Sequence, residues 1–480
     1  MSLDIVIKNG RIIDGTGNPW YYADLGIENG KIVRLRPQLD ELAIKEVDAR
    51  NLVVAPGFVD IHSHSDNSIP FDPHLESTIR QGITTAVIGN CGSSLAPINP
   101  ENMELFKKQA FIFTPPDKEL EFTWQSFKEY LSNVEKTKCS TNLVPLIGFG
   151  AVRIAGGPGY ENREPSAEEL NQMKIYIEEA MQSGAFGMST GLVYAPQTYA
   201  KTDEIIELAK VVAKYGGIIF SHIRNEGSTV VHAVKELIEI IKISGCRGGQ
   251  VSHHKVAGPA NWGASKETLR LIEEANTHGL NITCDQYPYH RGMMSLLTIL
   301  PPWVHIGGIE KILERLKDSE ERKRIKRDII EGIKGWESRL TSWGPEQIYL
   351  ASVKTERWKD MEGKNLVEIT KLREKTDVFA TLFDLLIDNE GEVSMTAEHM
   401  GEEDIHRIMT NRYTMFGTDG CGISPTGILG YGKPHPRFYG TYPRILGRYV
   451  REQGLMTLED SIRKMTSFPA QKLGLFDRGL

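Results

Sequence analysis

Two different patterns of apolar and polar residues divide the chain near residue 56. Before this point, short apolar runs alternate with polar residues and break at Asn9-Gly10 and Asn29-Gly30. Dipeptides of this kind favour the tight turns that join antiparallel strands. The pattern therefore predicts a small all-β domain, which we assign to residues 1–56.

From residue 57 onward, strand-like apolar runs alternate with segments of helical pattern. One helix start carries a capping box, in which Ser166 lies three residues before Glu169. A repeated strand–helix alternation is typical of a parallel (β/α)8 barrel, which we assign to residues 57–465. The eight predicted strands are at residues 58–64, 83–91, 142–150, 187–192, 218–223, 249–256, 281–289 and 413–420.

The connection between the seventh and eighth predicted strands is much longer than one helix requires. We therefore predict a helical insertion over residues 290–412. Strand seven leaves the barrel at the end where active sites of such barrels lie, so the insertion should cover that end.

Side chains that can bind a metal occur at the ends of five predicted strands. They are His62, His64, Cys91, His222, His253 and Asp419. The two-residue spacing of His62 and His64 places both imidazoles on one face of a strand, where both can reach one ion. Imidazoles with a thiolate suit Zn²⁺ and are inconsistent with a hard Mg²⁺ or Ca²⁺ site. Six candidates exceed the four ligands of a structural zinc, which predicts a catalytic centre with two ions, or one ion beside a partly occupied second position.

Composition narrows the possible partners. The 480 residues carry a formal net charge of -7, so nothing in the charge indicates binding to nucleic acid or to an anionic membrane. The N-terminus lacks the pattern of a signal peptide, and no apolar run approaches the roughly 18 residues of a membrane span. Five scattered cysteines do not indicate a disulfide framework. We therefore expect a cytoplasmic protein with a small-molecule partner, and the oligomeric state stays open.

Several motifs together resemble one known family. The segments "PGFVDIHSHSD", "GNCGSSLAP", "SHIRNEG", "VSHHKVAG", "DQYPY", "GTDG" and "HPRFYGTYPRILG" are similar to those of the N-acyl-D-amino-acid deacylases, or D-aminoacylases, of the amidohydrolase superfamily. The resemblance implies an amidohydrolase-type (β/α)8 barrel with a small β-sandwich domain. It also implies zinc-dependent hydrolysis of the amide bond of N-acyl-D-amino acids.

The resemblance further implies a division of the ligands between two positions. Cys91, His222 and His253 would hold the tighter zinc, and His62, His64 and Asp419 would face a second, weaker position. Because a carboxylate at the barrel mouth can take a proton from water and return it to a leaving amine, Asp419 is also the candidate general base. The positions that the resemblance assigns to substrate binding are Lys255, Tyr287 and Arg437.

Alternative functions are a cyclic-amide hydrolase such as a hydantoinase or dihydroorotase, a dipeptidase-like amidohydrolase, and a metal-binding scaffold without activity. The cyclic-amide enzymes use a carboxylated lysine on strand four, but residues 187–192 contain no lysine. The resemblance also assigns residues 466–480 to the small β-domain, which we expect to lack partner strands.

Overall fold

The protein is described by a computed structural model that covers residues 3–109, 115, 118 and 120–480. Residues 1 and 2 of the predicted β-domain lie outside the described part. The strands are β1 (Leu3–Ile12), β2 (Tyr21–Glu28), β3 (Lys31–Arg36), β4 (Ala43–Asp48), β5 (Val53–Val54), β6 (Phe58–Asp60), β7 (Ile83–Ile88), β8 (Asn142–Pro145), β9 (Ile147–Gly148), β10 (Gly187–Gly191), β11 (Ile218–His222), β12 (Gly248–Val251), β13 (Ile282–Gln286), β14 (Arg291–Ser295), β15 (Ile348–Val353), β16 (Val393–Glu398) and β17 (Thr414–Phe416).

The α-helices surround the barrel and fill the insertion. They are α1 (Glu76–Ile79), α2 (Met103–Gln109), α3 (Phe127–Thr137), α4 (Phe149–Gly156), α5 (Ala167–Gln182), α6 (Thr202–Lys214), α7 (Val230–Ser244), α8 (Ser265–Thr277), α9 (Ile309–Lys317), α10 (Ser319–Glu331), α11 (Arg339–Trp343), α12 (Glu356–Lys359), α13 (Leu366–Leu372), α14 (Val378–Asp388), α15 (Glu402–Thr410), α16 (Arg437–Arg444), α17 (Leu458–Met465) and α18 (Ser467–Leu473). No helix in the described residues is both long enough and apolar enough to cross a membrane.

The small N-terminal domain is one five-stranded sheet with the order β3-β2-β1-β4, in which β5 also pairs with β1. The predicted turn at Asn29-Gly30 joins β2 to β3, and Asn29 has a positive φ of 52°. The predicted turn at Asn9-Gly10 is wrong, because β1 continues through these residues as a β-bulge, in which Asn9 has a φ of 63°. In the described residues none of the strands of this sheet pairs with a strand of another sheet. Its core is correspondingly small and centres on Leu3, Val6 and Leu39.

The predicted eight-stranded parallel barrel is present. Strands β6, β7 and β8 pair in that order, and β9 to β13 continue the ring to β17. The chain runs directly from β8 into β9, so these two short strands together occupy the third barrel position. A parallel bridge between Ser63 and Gly420 joins the first position to the eighth and closes the ring. The carboxyl ends of all eight strands consequently face one mouth.

The barrel is held by apolar packing between its strands and the surrounding helices. Strands β10, β11 and β13 are buried along their whole length, as expected for parallel strands covered on both faces. The capping box predicted at Ser166 and Glu169 begins α5 and is formed in both directions. This packing gives the strand ends rigid support.

The insertion is more mixed than the predicted helical segment. It contains a three-stranded antiparallel sheet, β14-β16-β15, together with helices α9 to α14. The sheet and helices share a separate apolar core that includes Leu350, Trp358 and Leu386. Residues of the insertion, among them Met293, Leu297 and His305, line the cavity at the barrel mouth.

The C-terminal segment differs from its predicted use. Residues 466–480 add no strand to the N-terminal sheet, and Ser467–Leu473 form helix α18. Ala470 and Leu473 of this helix pack with Val59, Phe220 and Met415 of the barrel strands. The physical reason is burial, because the apolar side of α18 covers the barrel strands instead of extending a sheet edge.

Candidate metal centre

The six predicted metal-binding side chains converge at the barrel mouth. Every one of them is at most 7% exposed. Each follows the strand end from which it was predicted, although several strands end earlier than expected. The side chains that the structure brings together are His62, His64, Cys91, His222, His253 and Asp419.

Cys91 lies at the centre of three imidazoles. Its Sγ atom is 3.5 Å from His62 Nε2, 3.7 Å from His222 Nδ1 and 3.4 Å from His253 Nε2. A thiolate and several imidazole nitrogens that point at one another form a donor set suited to a tetrahedral zinc ion. The Cys91 thiol thus lies close to the two other residues predicted to hold the tighter zinc, and also to His62.

A second group of donors lies beside the first. Asp419 Oδ1 is 3.5 Å from His62 Nε2 and 3.3 Å from His64 Nε2. His62 therefore belongs to both groups, because its Nε2 atom faces Cys91 as well as Asp419. The two donor groups are therefore adjacent, and the single lone pair of His62 Nε2 can bind an ion in only one of them.

The backbone at the centre is held in an uncommon conformation. Cys91, His253 and Asp419 have positive φ angles of 53°, 36° and 46°. Non-glycine residues in this region are rare, and when they occur they cluster at active sites, where the surrounding structure compensates for their strain. Three of the six candidate donors adopt this conformation, which indicates that the backbone at the strand ends is adapted to the metal centre.

Glu226 is a buried residue of the site that the sequence analysis missed. Its Oε2 atom is 3.5 Å from His222 Nε2, and its Oε1 atom is 3.2 Å from His253 Nδ1. These are the ring nitrogens that do not face Cys91, so one carboxylate can orient both imidazoles. The available signal was the spacing of four residues between His222 and Glu226 after strand five.

Asp285 was also missed, because the seventh strand ends without a histidine or cysteine. Its Oδ1 atom is 3.6 Å from His62 Nδ1 and accepts a hydrogen bond from the backbone N–H of His253 at 2.8 Å. Its other oxygen accepts from Gln250 Nε2 at 2.7 Å. Asp285 thus orients the imidazole of His62 and the backbone of His253.

Charges at the centre keep its acidic groups ionised. Burial raises the pKa of the Cys91 thiol, but the charges of His62 and His253 outweigh this effect and lower the pKa well below its usual value. Burial likewise raises the pKa of the Asp419 carboxyl, but Arg437 and His253 hold it well below its usual range. A thiolate and a carboxylate are therefore available to a cation at neutral pH.

The donor chemistry fits zinc. Three groups of side chains bring three ligand atoms each within 4.8 Å of one another: His62-Cys91-His253, His62-His64-Asp419 and His222-Glu226-His253. Nitrogen and sulfur donors dominate, which disfavours Mg²⁺ and Ca²⁺. Strand β10, Gly187–Gly191, offers no lysine that could bridge two metals in place of Cys91.

The three predicted substrate-binding residues lie together at the edge of the centre. Lys255 Nζ is 5.6 Å from the centroid of the Tyr287 ring, and the Arg437 guanidinium is 4.7 Å from the same centroid. Arg437 also forms an ion pair of 2.6 Å with Asp419, and Lys255 forms one of 2.6 Å with Glu226. The two cations and the phenol line one cavity with the metal-binding side chains.

Comparisons with known proteins agree with this geometry. The profile of the amidohydrolase family matches residues 45–291. A D-aminoacylase from Alcaligenes xylosoxydans xylosoxydans is 32% identical over 99% of this chain and 85% of its own length. The crystal structure of an N-acyl-D-glutamate deacylase from Bordetella bronchiseptica, in complex with zinc and a phosphonate inhibitor, has a TM-score of 0.81 at 31% identity, with 100% of this chain and 87% of that chain covered. A D-aminoacylase structure that addresses a binuclear metal centre, with activation by one metal and attenuation by the second, has a TM-score of 0.78 at 30% identity and covers 99% of this chain and 87% of that chain.

Proposed function

Because the chain belongs to the amidohydrolase family, and within it to the N-acyl-D-amino-acid deacylases, we propose that it hydrolyses N-acyl-D-amino acids in a zinc-dependent reaction. The products are a carboxylate and a free D-amino acid. The observation that carries this proposal is the position of Cys91, a buried thiolate within 3.7 Å of three imidazoles at a barrel mouth. A cytoplasmic location stays a prediction from the composition.

Cys91, His222 and His253 would hold the tighter zinc, and His62, His64 and Asp419 would face the weaker position. When bound, zinc supplies a Lewis acid that polarises a carbonyl and lowers the pKa of water from about 15.7 to about 7. Glu226 supports the tighter position because its carboxylate oxygens lie 3.5 Å from His222 Nε2 and 3.2 Å from His253 Nδ1, the outer nitrogens of two of the ligands. The ligands are thereby held in one tautomer and one orientation.

Asp419 is the proposed general acid and base. Its Oδ2 atom is paired with Arg437, whereas its Oδ1 atom faces His62 and His64 and is free to take a proton from the attacking water. The water oxygen bonds to the amide carbon, and Asp419 then returns the proton to the amide nitrogen as the carbon–nitrogen bond breaks.

Lys255, Tyr287 and Arg437 are proposed to position the substrate. Two cations close to one phenol ring can bind the free carboxylate of an N-acyl-amino acid through charge-assisted hydrogen bonds. The Tyr287 hydroxyl can donate to this carboxylate or to the oxyanion that forms from the amide carbonyl. Binding of the carboxylate fixes the direction in which the amide enters the centre.

A chiral substrate panel tests the reaction. We expect zinc-loaded protein to release free amino acid from N-acetyl derivatives of D-amino acids, and to act far more slowly on the L-enantiomers. Amine release is measured for both series, together with zinc content. Hydantoin and dihydroorotate serve as cyclic comparison substrates.

Two results of this panel would contradict the proposal. Faster ring opening of the cyclic substrates would indicate a cyclic-amide hydrolase. Absence of any amide hydrolysis by metal-loaded protein would favour a binding scaffold.

Glu226→Gln is predicted to weaken zinc binding by about 10–100-fold, the usual cost of losing a group that orients metal ligands. Glutamine preserves the shape, but its single carbonyl oxygen cannot replace two anionic oxygens that face His222, His253 and Lys255. The measurement is competition for zinc with a chelator of known affinity.

Glu236→Gln is the matched control, because Glu236 lies on helix α7 and binds Arg224 and Thr202. Its zinc affinity should equal that of the unaltered protein. Equal affinity in Glu226→Gln would show that the carboxylate does not orient the ligands.

A further inference from the structure

His399 is a buried polar residue beside the substrate-binding groups that the reaction described above does not use. It follows strand β16 of the insertion and is 1% exposed. Neither ring nitrogen has a hydrogen-bond partner among the described residues. Buried imidazoles without partners are uncommon and call for a specific role.

Packing and backbone hydrogen bonds hold the His399 ring in place. The ring stacks on Trp343 with a centroid distance of 4.4 Å and an interplanar angle of 25°. Its backbone carbonyl accepts hydrogen bonds from Gly258 N at 2.8 Å and Trp262 Nε1 at 3.2 Å. The ring is therefore held by packing and by backbone contacts, not by its own nitrogens.

His399 is uncharged at neutral pH. Burial lowers the pKa of its imidazole to about 3, and the nearby charge of Lys255 contributes in the same direction. A neutral imidazole offers one N–H donor and one nitrogen acceptor. It can therefore join a hydrogen-bond chain without adding charge to the carboxylate-binding cations.

Gly292 places the His399 ring close to Tyr287. A Cβ atom on Gly292 would lie 2.9 Å from His399 Nε2 and 3.3 Å from the Tyr287 hydroxyl. The two polar atoms are therefore separated by at most about 6 Å, the sum of these distances. Gly292 and Tyr287 both line the cavity of the metal centre. The missing side chain of Gly292 leaves the path between the two atoms open.

We propose that His399 is a positioning residue, which holds the Tyr287 hydroxyl through one bridging water. A separation too long for a direct hydrogen bond and no longer than about 6 Å suits one water. His399 then sets the direction in which the Tyr287 O–H points toward substrate. The effect on turnover rests on the proposed deacylase function, whereas the link between the two residues does not.

A double-mutant cycle tests this link during turnover. His399→Phe preserves an aromatic ring against Trp343 but removes both nitrogens. We expect it to lower kcat/KM roughly tenfold in the unaltered protein, and less than about twofold when Tyr287→Phe is already present, because residues of one network are not additive. The same factor in both backgrounds, or no loss in either, would show that His399 only packs and would overturn the proposal.

Gly292→Ala interrupts the same link from the other side and serves if His399→Phe folds poorly. Its methyl group would lie between the two polar atoms. We expect a loss of kcat/KM similar to that of His399→Phe, with zinc content unchanged. Gly447→Ala is the matched control, because a Cβ there would meet only the end of Arg451 at 3.5 Å. Full activity in Gly292→Ala would contradict the proposed bridge.

Nuclear magnetic resonance of protein labelled with ¹⁵N-histidine tests the link without turnover. The His399 signals are identified by their loss in His399→Phe, and Tyr287→Phe is expected to shift them. Unshifted signals would overturn the link. If the signals shift but the substrate panel shows no hydrolysis, the deacylase function fails and the link between His399 and Tyr287 stands.

Discussion

Cys91→Ala is expected to lose most of its zinc and nearly all deacylase activity. The Sγ atom of Cys91 is the sulfur donor at the centre and lies within 3.7 Å of His62, His222 and His253. Without the thiolate, three imidazoles would surround the cation with no soft anion among them. The loss should exceed the about 10–100-fold effect of removing a group that only orients ligands. Zinc is measured by elemental analysis after dialysis, and activity by release of the free amino acid.

Cys246→Ala is the matched control for this experiment. Cys246 is also a buried cysteine, but its Sγ atom donates to the carbonyl of Ala209 and burial raises its pKa to about 11. It is therefore an un-ionised thiol in the helical layer, and its variant should retain zinc and activity. Equal zinc content and equal rate in Cys91→Ala would refute the ligand assignment.

Asp419→Asn is expected to lower kcat by about 10²–10⁴-fold, the usual contribution of a general acid and base. An asparagine amide cannot accept a proton from water at neutral pH. The zinc held by Cys91, His222 and His253 should remain, because Asp419 faces the other donor group. Loss of rate with retention of zinc would show that Asp419 acts in proton transfer, whereas Cys91 holds the metal. Initial rates and elemental analysis provide both measurements.

Asp419→Asn also removes the carboxylate whose Oδ2 atom pairs with Arg437 Nη1 at 2.6 Å. Thermal unfolding of the variant must therefore be measured together with its rate. Asp404→Asn is the matched control, since Asp404 is a buried carboxylate that accepts from Gly263 N and pairs with Arg407. It should retain full kcat. A kcat near that of the unaltered protein in Asp419→Asn would assign the proton transfer to another group.

The barrel and the six metal donors could be predicted because both leave local patterns in the chain. Alternating strands and helices indicate parallel strands, whose carboxyl ends must share one mouth. His62 and His64 lie two residues apart after one strand, and the other four donors each lie at or after the end of a strand of their own. The assignment of two metal positions among them stays a proposal.

Glu226 and Asp285 could not be predicted in the same way. Acidic residues are common after strands, and only packing decides which of them are buried against an imidazole. In this chain, 63 residues are acidic, and the only local signal is the four-residue spacing between His222 and Glu226. Their role depends on distances of 3.2 Å to 3.6 Å to imidazole nitrogens of the site.

The chain by itself determined the order of strands and helices and the kinds of donor at the strand ends, since periodicity and residue type are local properties. Only the tertiary structure decided that α18 covers the barrel, that Glu226 faces two imidazoles at once, and that His399 lies next to Tyr287 across Gly292. Apart from Glu226 and His222, which are four positions apart, these contacts join residues from tens to hundreds of positions apart along the chain. They follow from how the closed barrel and the insertion pack in three dimensions, and no local sequence pattern specifies this packing.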